Sequence, residues 1–323
     1  MTAGSRTRSA APGLRRVWND RPRLYSRPLW LLVIALDFLP WPWGEDLLAR
    51  LFRIVGLLRA SRRRPAVAWA AARGARPSRR LALAVCAFRG RWVARSMLVG
   101  VRHPADLGAR VVVRGEELLA ASAPRGRILL GFHLGPPNAD VALRIRGHSL
   151  AFLGTVRRSR AWARPEWSPL LDPRDHLSPP DADTRLFWVG YLYRARRMLL
   201  EGRTIFIMAD SWVGRERALF VVSVPGGAMT VRSGWLALSR QTGAEVVPVT
   251  THLEGRAQII TICSPLPQPG ADADEHVRAV RGILSRRVED YVERFPEQCP
   301  ALVFPPETIP GPERQAPGAA AVV

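Results

Sequence analysis

A histidine and an aspartate each end an apolar run that has the length of a buried strand. His133 directly follows the run Ile128–Phe132, and Asp210 closes the run Thr204–Asp210. Short apolar runs of this kind are typical of central strands in a sheet that is covered on both faces. Functional side chains gather at the carboxyl ends of such strands. We therefore expect both residues at one sheet edge, where an imidazole can act as a general base. A structural histidine and an aspartate that caps a turn are the alternatives.

The residues after His133 turn the chain away from the sheet. The segment reads GFHLGPPNAD from Gly131 to Asp140, and its glycine and prolines force a turn that leaves the histidine at the edge. Asn138 is a favourable helix N-cap residue, and the apolar positions after it predict a short helix.

Further strands and helices alternate through the rest of the chain, which predicts a layered α/β domain. The expected strands are VVVRG from Val111, LAFLGTV from Leu150, Val246–Thr250 and Ala257–Cys263, and the expected helices are Glu116–Ala121, Gly190–Leu200, Ser233–Thr242 and Glu275–Phe295.

The N-terminal region combines apolar and basic sequence. The run Pro28–Gly44 is nearly apolar but shorter than the ~20 residues that a spanning helix needs. Arginines flank it on both sides, which favours an interfacial or re-entrant anchor over a crossing; a buried core helix is the alternative. No small-residue cleavage site follows, so a removable signal peptide is not expected. Leu47–Leu58 has amphipathic helical spacing, for a helix that lies on a membrane or packs on the domain.

The composition is strongly basic. The net charge is +21, and all 48 cationic residues are arginines. Such a chain is attracted to polyanions, which include anionic membranes and nucleic acids. The three cysteines are widely spaced and form neither a metal-ligand pair nor a disulfide framework, so we expect a reducing compartment. The sequence contains no glycine-rich nucleotide motif and no His/Cys cluster, so we expect no metal and no bound cofactor.

Four segments, in order, resemble the bacterial lipid A (lauroyl/myristoyl) acyltransferases of the lysophospholipid acyltransferase superfamily. The resemblance covers about residues 111–304. The four segments are VVVRGEELL…GRILLGFHLG, LLEGRTIFIMAD, VPGGAMTVRSGWLALSRQTGAEVVPV and RFPEQCP.

The resemblance implies a fold, an activity and a location. The fold would be a central mixed β-sheet flanked by helices, as in glycerolipid acyltransferases, with an N-terminal helical anchor. His133 would be the base that moves an acyl chain from acyl carrier protein or coenzyme A to a hydroxyl of a lipid or glycolipid acceptor. The protein would work as a monomer on anionic lipids at the cytoplasmic face of the bacterial inner membrane. The family also has a basic residue at about the place of Arg157 and Arg158, which are candidates for a substrate phosphate. From the residues themselves, Gly226, Gly227 and Arg232 are candidates for contact with an oxyanion or phosphate. Solvated arginines and a plain glycine turn are the alternatives.

We accordingly divide the chain into four parts. These are a basic flexible tail (1–27), a membrane-anchoring and amphipathic helical region (28–100), an acyltransferase domain (101–305) and a disordered tail (306–323).

One position departs from the family pattern. The family places Asp or Glu five residues after the histidine, and this chain has Asn138. Either Asn138 suffices as the orienting group for a slow enzyme, or another acid takes over, with Asp210 the first candidate and Asp140 the second. The third alternative is a lipid-binding protein that has lost transferase activity. A nucleic-acid binder is a further alternative, although no binding module accompanies the charge.

Overall fold

The computed structural model describes residues 39, 41–59, 79–98, 108–153, 185–210, 218–224, 227–270 and 272–299. Several of the expectations above fall outside these residues. They are the tails at 1–27 and 306–323, most of the apolar run 28–44, and the candidate residues Arg157, Arg158 and Gly226.

The described chain builds a six-stranded mixed sheet. Its strands are β1 (Val111–Arg114), β2 (Arg127–Gly131), β3 (Leu150–Leu153), β4 (Thr204–Met208), β7 (Glu245–Glu254) and β8 (Ala257–Ile262). Their order in the sheet is β1-β8-β7-β2-β4-β3. Every neighbouring pair is parallel except β7 and β8, which form an antiparallel hairpin. The α/β prediction with a central mixed sheet is confirmed.

Helices cover both faces of the sheet, because the central strands are apolar on both sides. Ile128 and Leu130 of β2 point to one face and Leu129 to the other, and all three are fully buried. The helices that cover the sheet are α3 (Glu117–Ala120), α4 (Ala139–Ile145), α5 (Arg185–Leu200), α6 (Gly234–Thr242) and α7 (Ala273–Arg294). The first face packs on α5, α6 and α7, and the second on α3 and α4.

Two further helices precede the sheet and pack against each other. They are α1 (Trp41–Leu58) and α2 (Arg79–Leu98). Helix α1 begins inside the run that we expected to be a separate apolar segment, so that run and the amphipathic helix overlap. None of the described helices combines the length and the hydropathy that a membrane-spanning segment requires.

Two expectations about strands need correction. A small antiparallel ribbon of β5 (Ala218–Val224) and β6 (Gly227–Arg232) forms a second sheet that packs on the core of the main sheet, and it was not predicted. The strand expected at Val246–Thr250 continues to Glu254, because the antiparallel partner β8 pairs with it along that extension.

Candidate active site

The register of two neighbouring strands brings His133 and Asp210 to the same sheet edge. Strands β2 and β4 are parallel, and Gly131 is aligned with Met208. His133 lies two residues after Gly131, and Asp210 lies two residues after Met208. The N–H of Ala209 donates to the Gly131 carbonyl at 2.8 Å and extends the pairing beyond the strands. The expected proximity of His133 and Asp210 is therefore present.

Asp210 holds both the ring and the backbone of His133. The Nδ1 atom of His133 lies 2.9 Å from Asp210 Oδ1. The backbone N–H of His133 points to the same carboxylate, at 3.1 Å from Oδ1 and 2.9 Å from Oδ2. The carboxylate is 9% exposed, whereas the imidazole is 46% exposed and accessible to a substrate.

The carboxylate sets the protonation of the imidazole. Burial lowers the pKa of His133, but the charge of Asp210 and its hydrogen bond raise it, and the net result is a pKa above the usual 6.5. Because a carboxylate only accepts hydrogen bonds, Nδ1 carries the proton in the neutral ring. The lone pair of Nε2 is then available to accept a proton, as a general base requires.

The loop after His133 is held by a segment from the far end of the domain. Gly135 has φ +75°, and its N–H donates to the carbonyl of Gln298 at 2.8 Å. The Gln298 side chain in turn accepts from Leu253 N–H at 2.7 Å and donates to the Leu253 carbonyl at 2.9 Å. Gln298 belongs to the RFPEQCP segment, to which we assigned no role. Its side chain bonds to a residue 45 positions earlier, so no local pattern in the sequence indicated this role.

Asn138 occupies the predicted N-cap position of α4 but does not cap it. Its φ is +67°, in the left-handed region, and its side chain makes no capping hydrogen bond. The Nδ2 group instead donates to the carbonyl of Arg95 in α2, at 3.3 Å. The expectation of a side-chain cap was wrong, because a capping residue has extended backbone, which an Asn in the left-handed region lacks.

An apolar cavity of about 220 Å³ opens beside His133. Asp140 contributes to its wall, where it is 9% exposed, and burial raises the pKa of this carboxyl. Phe152 and Phe206 stack within the wall, with ring centroids 6.2 Å apart. The other large apolar side chains of the wall are Trp92, Phe132, Leu134 and Met208.

The structure describes two of the five candidate anion contacts. The backbone N–H of Arg232, at the end of β6, donates to the Ala209 carbonyl at 2.8 Å, so this residue is anchored beside Asp210. Gly227 begins β6 opposite Val224, roughly 16 Å along the strand from Arg232. The structure thus brings Arg232, but not Gly227, close to the strand end that bears Asp210.

Comparisons with known proteins add no assignment. The chain matches no family model and no curated protein. Within the described ranges, no group of three or more His, Cys, Asp or Glu side chains is arranged to hold a metal ion.

Proposed function

We propose that the protein is a membrane-associated O-acyltransferase that moves a fatty acyl chain from acyl carrier protein or coenzyme A to a hydroxyl of a lipid or glycolipid. The observation that supports this most directly is the hydrogen-bonded pair of His133 and Asp210 at an apolar cavity. The pair supplies a base, and the cavity suits a hydrocarbon chain. The resemblance of four ordered segments to lipid A acyltransferases supports the same function.

In the proposed reaction, Nε2 of His133 takes the proton of the acceptor hydroxyl as its oxygen attacks the thioester carbonyl carbon. Asp210 stabilises the imidazolium that forms. The tetrahedral intermediate then collapses: the C–S bond breaks, and the thiolate leaves and receives the proton from Nε2. The products are an ester and a free thiol, and the imidazole returns to its neutral state.

Asp210 takes the part that the family gives to the acid at the position of Asn138. The Nδ1 atom of the ring is engaged by Asp210, whereas the amide of Asn138 is engaged by the Arg95 carbonyl. The carboxylate of Asp210, after the neighbouring strand β4, thus replaces the carboxylate that the family has in the loop after the histidine. This arrangement favours an active enzyme over a protein that has lost its transferase activity.

The cavity wall supports an acyl substrate. Its large side chains are aromatic or aliphatic, and burial of a methylene group against such a wall contributes ~0.8 kcal/mol. A thioester whose chain enters the cavity would have its carbonyl near the His133 ring, which lines the same space. Arg232 is the candidate in the described part of the chain for contact with a phosphate of donor or acceptor.

The outward face of helix α1 supports association with a membrane. Its apolar side chains recur at helical spacing and form a stripe opposite the face that packs on α2. Seven of the ten exposed large hydrophobic residues in the described ranges lie on this helix. Exposed arginines at 50, 53 and 59 flank the stripe, as expected for contact with an anionic leaflet. The members of this outward stripe are Trp43, Leu47, Leu51, Ile54 and Leu58.

The function is tested by acyl transfer from octanoyl-, dodecanoyl- and hexadecanoyl-coenzyme A, and from the matching acyl carrier protein, to vesicles of a bacterial lipid extract. His133→Ala should lower turnover about 10²–10⁴-fold, the usual contribution of a general base. His148→Ala is the matched control, because His148 also pairs with a carboxylate, Glu116, at 2.8 Å, but does not line the cavity.

Two outcomes contradict the proposal. One is the absence of transfer from every donor, and the other is a His133→Ala variant that retains turnover within about tenfold of the wild type. Where transfer is observed, mass spectrometry of lipids from cells with and without the gene identifies the acceptor as the species that lacks one acyl chain in cells without the gene.

A further inference from the structure

A buried guanidinium joins the helical pair α1–α2 to the sheet. The side chain of Arg95 in α2 donates to both carboxylate oxygens of Glu45 in α1, at 3.0 and 3.2 Å. It also donates to Oε1 of Gln258 in β8 at 3.2 Å and to the Arg256 carbonyl at 3.0 Å. Arg95, Glu45 and Gln258 are all at most 5% exposed. The guanidinium therefore has a single fixed orientation.

The same group of residues reaches the loop that follows His133. The Gln258 amide donates to the Pro137 carbonyl at 3.4 Å and to Thr251 Oγ1 at 3.3 Å. Because Arg95 engages the carbonyl end of Gln258, the amino end must face Pro137. The backbone carbonyl of Arg95 accepts from Asn138, the next residue of the loop. Two consecutive loop residues thus depend on the placement of Arg95.

Stability alone is a weak explanation for this buried ion pair. Removing two charges from water is costly, and replacement of a buried pair by apolar side chains is often neutral or stabilising. The ion pair does, however, fix the position of the Arg95 side chain, since bidentate contacts of a planar guanidinium allow little change in its orientation. The position of the loop is therefore the property that the pair of Glu45 and Arg95 would control.

A second ion-pair group in the same place does not reach the loop. Asp46 is next to Glu45 in the chain and pairs with Arg91 of α2 at 3.4 Å and with Arg256 of the β7–β8 turn at 2.9 Å. It connects the same three elements, but its side chain is 29% exposed and contacts no residue of the loop among its hydrogen bonds in the described part of the chain. Asp46 is therefore a matched control.

We propose that Arg95 is a positioning residue for the proposed acyl transfer: through Gln258 and its own carbonyl it sets the loop from His133 to Asn138, and so couples the α1–α2 helices to the base. This inference rests on the proposed function for its kinetic consequence only. Its structural consequence, the order of the loop, can be measured without any turnover.

The decisive variant is the double substitution Glu45→Leu with Arg95→Met, which removes both charges and leaves neither buried alone. We expect its melting temperature to stay within a few degrees of the wild type. Turnover of dodecanoyl-coenzyme A should fall about 10–100-fold with KM within twofold, since a misplacement of about 1 Å can cost 10²-fold. Amide exchange in the peptide spanning residues 131–142 should accelerate. Asp46→Asn should change neither turnover nor exchange.

Gln258→Leu provides an independent test if the double variant does not fold. It keeps the Glu45–Arg95 pair and removes the contact with Pro137, so it should reproduce the lower turnover and the faster exchange. The inference is overturned if the double variant turns over within twofold of the wild type. It is also overturned if Asp46→Asn lowers turnover and melting temperature as much as the double variant does. Both ion pairs would then act through the stability of the fold.

Failure of the proposed function remains distinguishable from failure of this inference. If the wild-type protein transfers no acyl chain, the exchange measurement still decides. Faster exchange at 131–142 in the double variant, but not in Asp46→Asn, supports positioning by Arg95. Unchanged exchange in the double variant overturns it.

Discussion

The carboxylate of Asp210 accepts from the ring of His133 and from the backbone N–H of the same residue. A single side chain therefore fixes both the backbone position of His133 and the orientation of its ring. The arrangement follows from strand register, since both residues lie two positions beyond aligned residues of adjacent parallel strands. The loss of Asp210 should consequently affect orientation, tautomer and charge together.

Substitution of Asp210 by Asn should abolish most of the turnover. The amide nitrogen of Asn would donate to Nδ1, and this contact favours the tautomer that has its proton on Nε2. That ring has no lone pair for the acceptor hydroxyl, and the comparable substitution in the serine-protease triad costs about 10⁴ in kcat. We expect a fall of about 10³–10⁴ in kcat with little change in KM, measured with dodecanoyl-coenzyme A.

Asn138→Ala is the comparison that separates the two candidate partners of the ring. Because Asn138 is engaged by the Arg95 carbonyl, its loss should lower kcat far less than Asp210→Asn does. Asn138→Asp should not raise activity, since a carboxylate would face that carbonyl oxygen. The opposite order of effects, or a gain in Asn138→Asp, would assign the orienting role to Asn138.

The pH dependence of turnover should report the influence of Asp210 on His133. The base must be neutral, so kcat/KM should rise with pH through a pKa above 6.5, the direction in which Asp210 shifts it against the effect of burial. In Asp210→Asn the raising influence is lost, and the inflection in any residual activity should move to lower pH. An inflection that does not move would show that another group controls the ring.

The raised pKa of His133 also makes stability depend on pH, in the opposite direction to turnover. The native state raises the pKa of His133, so it favours the charged ring relative to the unfolded chain. The resulting stabilisation is complete below about 6.5 and is lost as the pH rises through the native pKa. The melting temperature of the wild type, compared with that of His133→Gln, should therefore show its advantage at low pH, where turnover is lowest. An advantage that grows with pH would contradict this sign.

The sequence predicted the strands that position the pair, because periodicity and length identify buried strands well. Ile128–Phe132 and Thr204–Asp210 correspond to β2 and β4 within two residues at each end. It also led us to expect His133 and Asp210 at one sheet edge, but it did not show that their two strands are directly paired. Strand order depends on long-range pairing, which a local pattern does not encode, so Asp210 remained one candidate among several.

The sequence also did not predict the role of Asn138, because this role depends on a non-local contact. A local pattern predicts a cap, since Asn before an apolar helix is favourable there. The structure instead has a hydrogen bond to Arg95, a residue 43 positions earlier. The contacts of Gln298 with Leu253 and Gly135 are equally non-local, which explains why sequence alone assigned this residue no part in the site.

Gly135 should tolerate no side chain. A Cβ there would overlap the Thr251 carbonyl oxygen and lie 2.6 Å from the hydroxyl of Tyr291, and φ is also positive. Gly147 is the control, because its φ is +96° but nothing lies within 4 Å of an added Cβ. Gly147→Ala should cost ~1–2 kcal/mol of unfolding free energy for the backbone alone and keep turnover near wild type.

Gly135→Ala should lower the free energy of unfolding by at least ~1 kcal/mol more than Gly147→Ala does, because overpacking adds to backbone strain. Turnover in the folded fraction should also fall, since the displaced loop begins at His133. Urea unfolding and activity at matched folded fraction measure the two effects. Equal losses in the two variants would show that the loop has room which the structure does not indicate.

The outward stripe on α1 should determine membrane binding without contributing to the fold. Leu47, Leu51 and Ile54 are 40%, 38% and 49% exposed, so replacement of all three by Glu should leave the melting temperature within a few degrees of the wild type. Binding to vesicles that contain phosphatidylglycerol should fall at least ~10²-fold, because the burial of several apolar side chains in the interface is lost and negative charge faces the leaflet.

Arg50→Gln with Arg53→Gln separates the electrostatic share of binding from the apolar share. Both arginines are exposed beside the stripe, and each is expected to contribute ~1 kcal/mol near an anionic surface. This variant should bind anionic vesicles more weakly and with less dependence on salt, yet bind neutral vesicles as the wild type does. If the triple Glu variant still floats with vesicles, the stripe is not the membrane contact. If the wild type sediments as a dimer and the triple Glu variant as a monomer, a second copy of the chain covers the stripe instead.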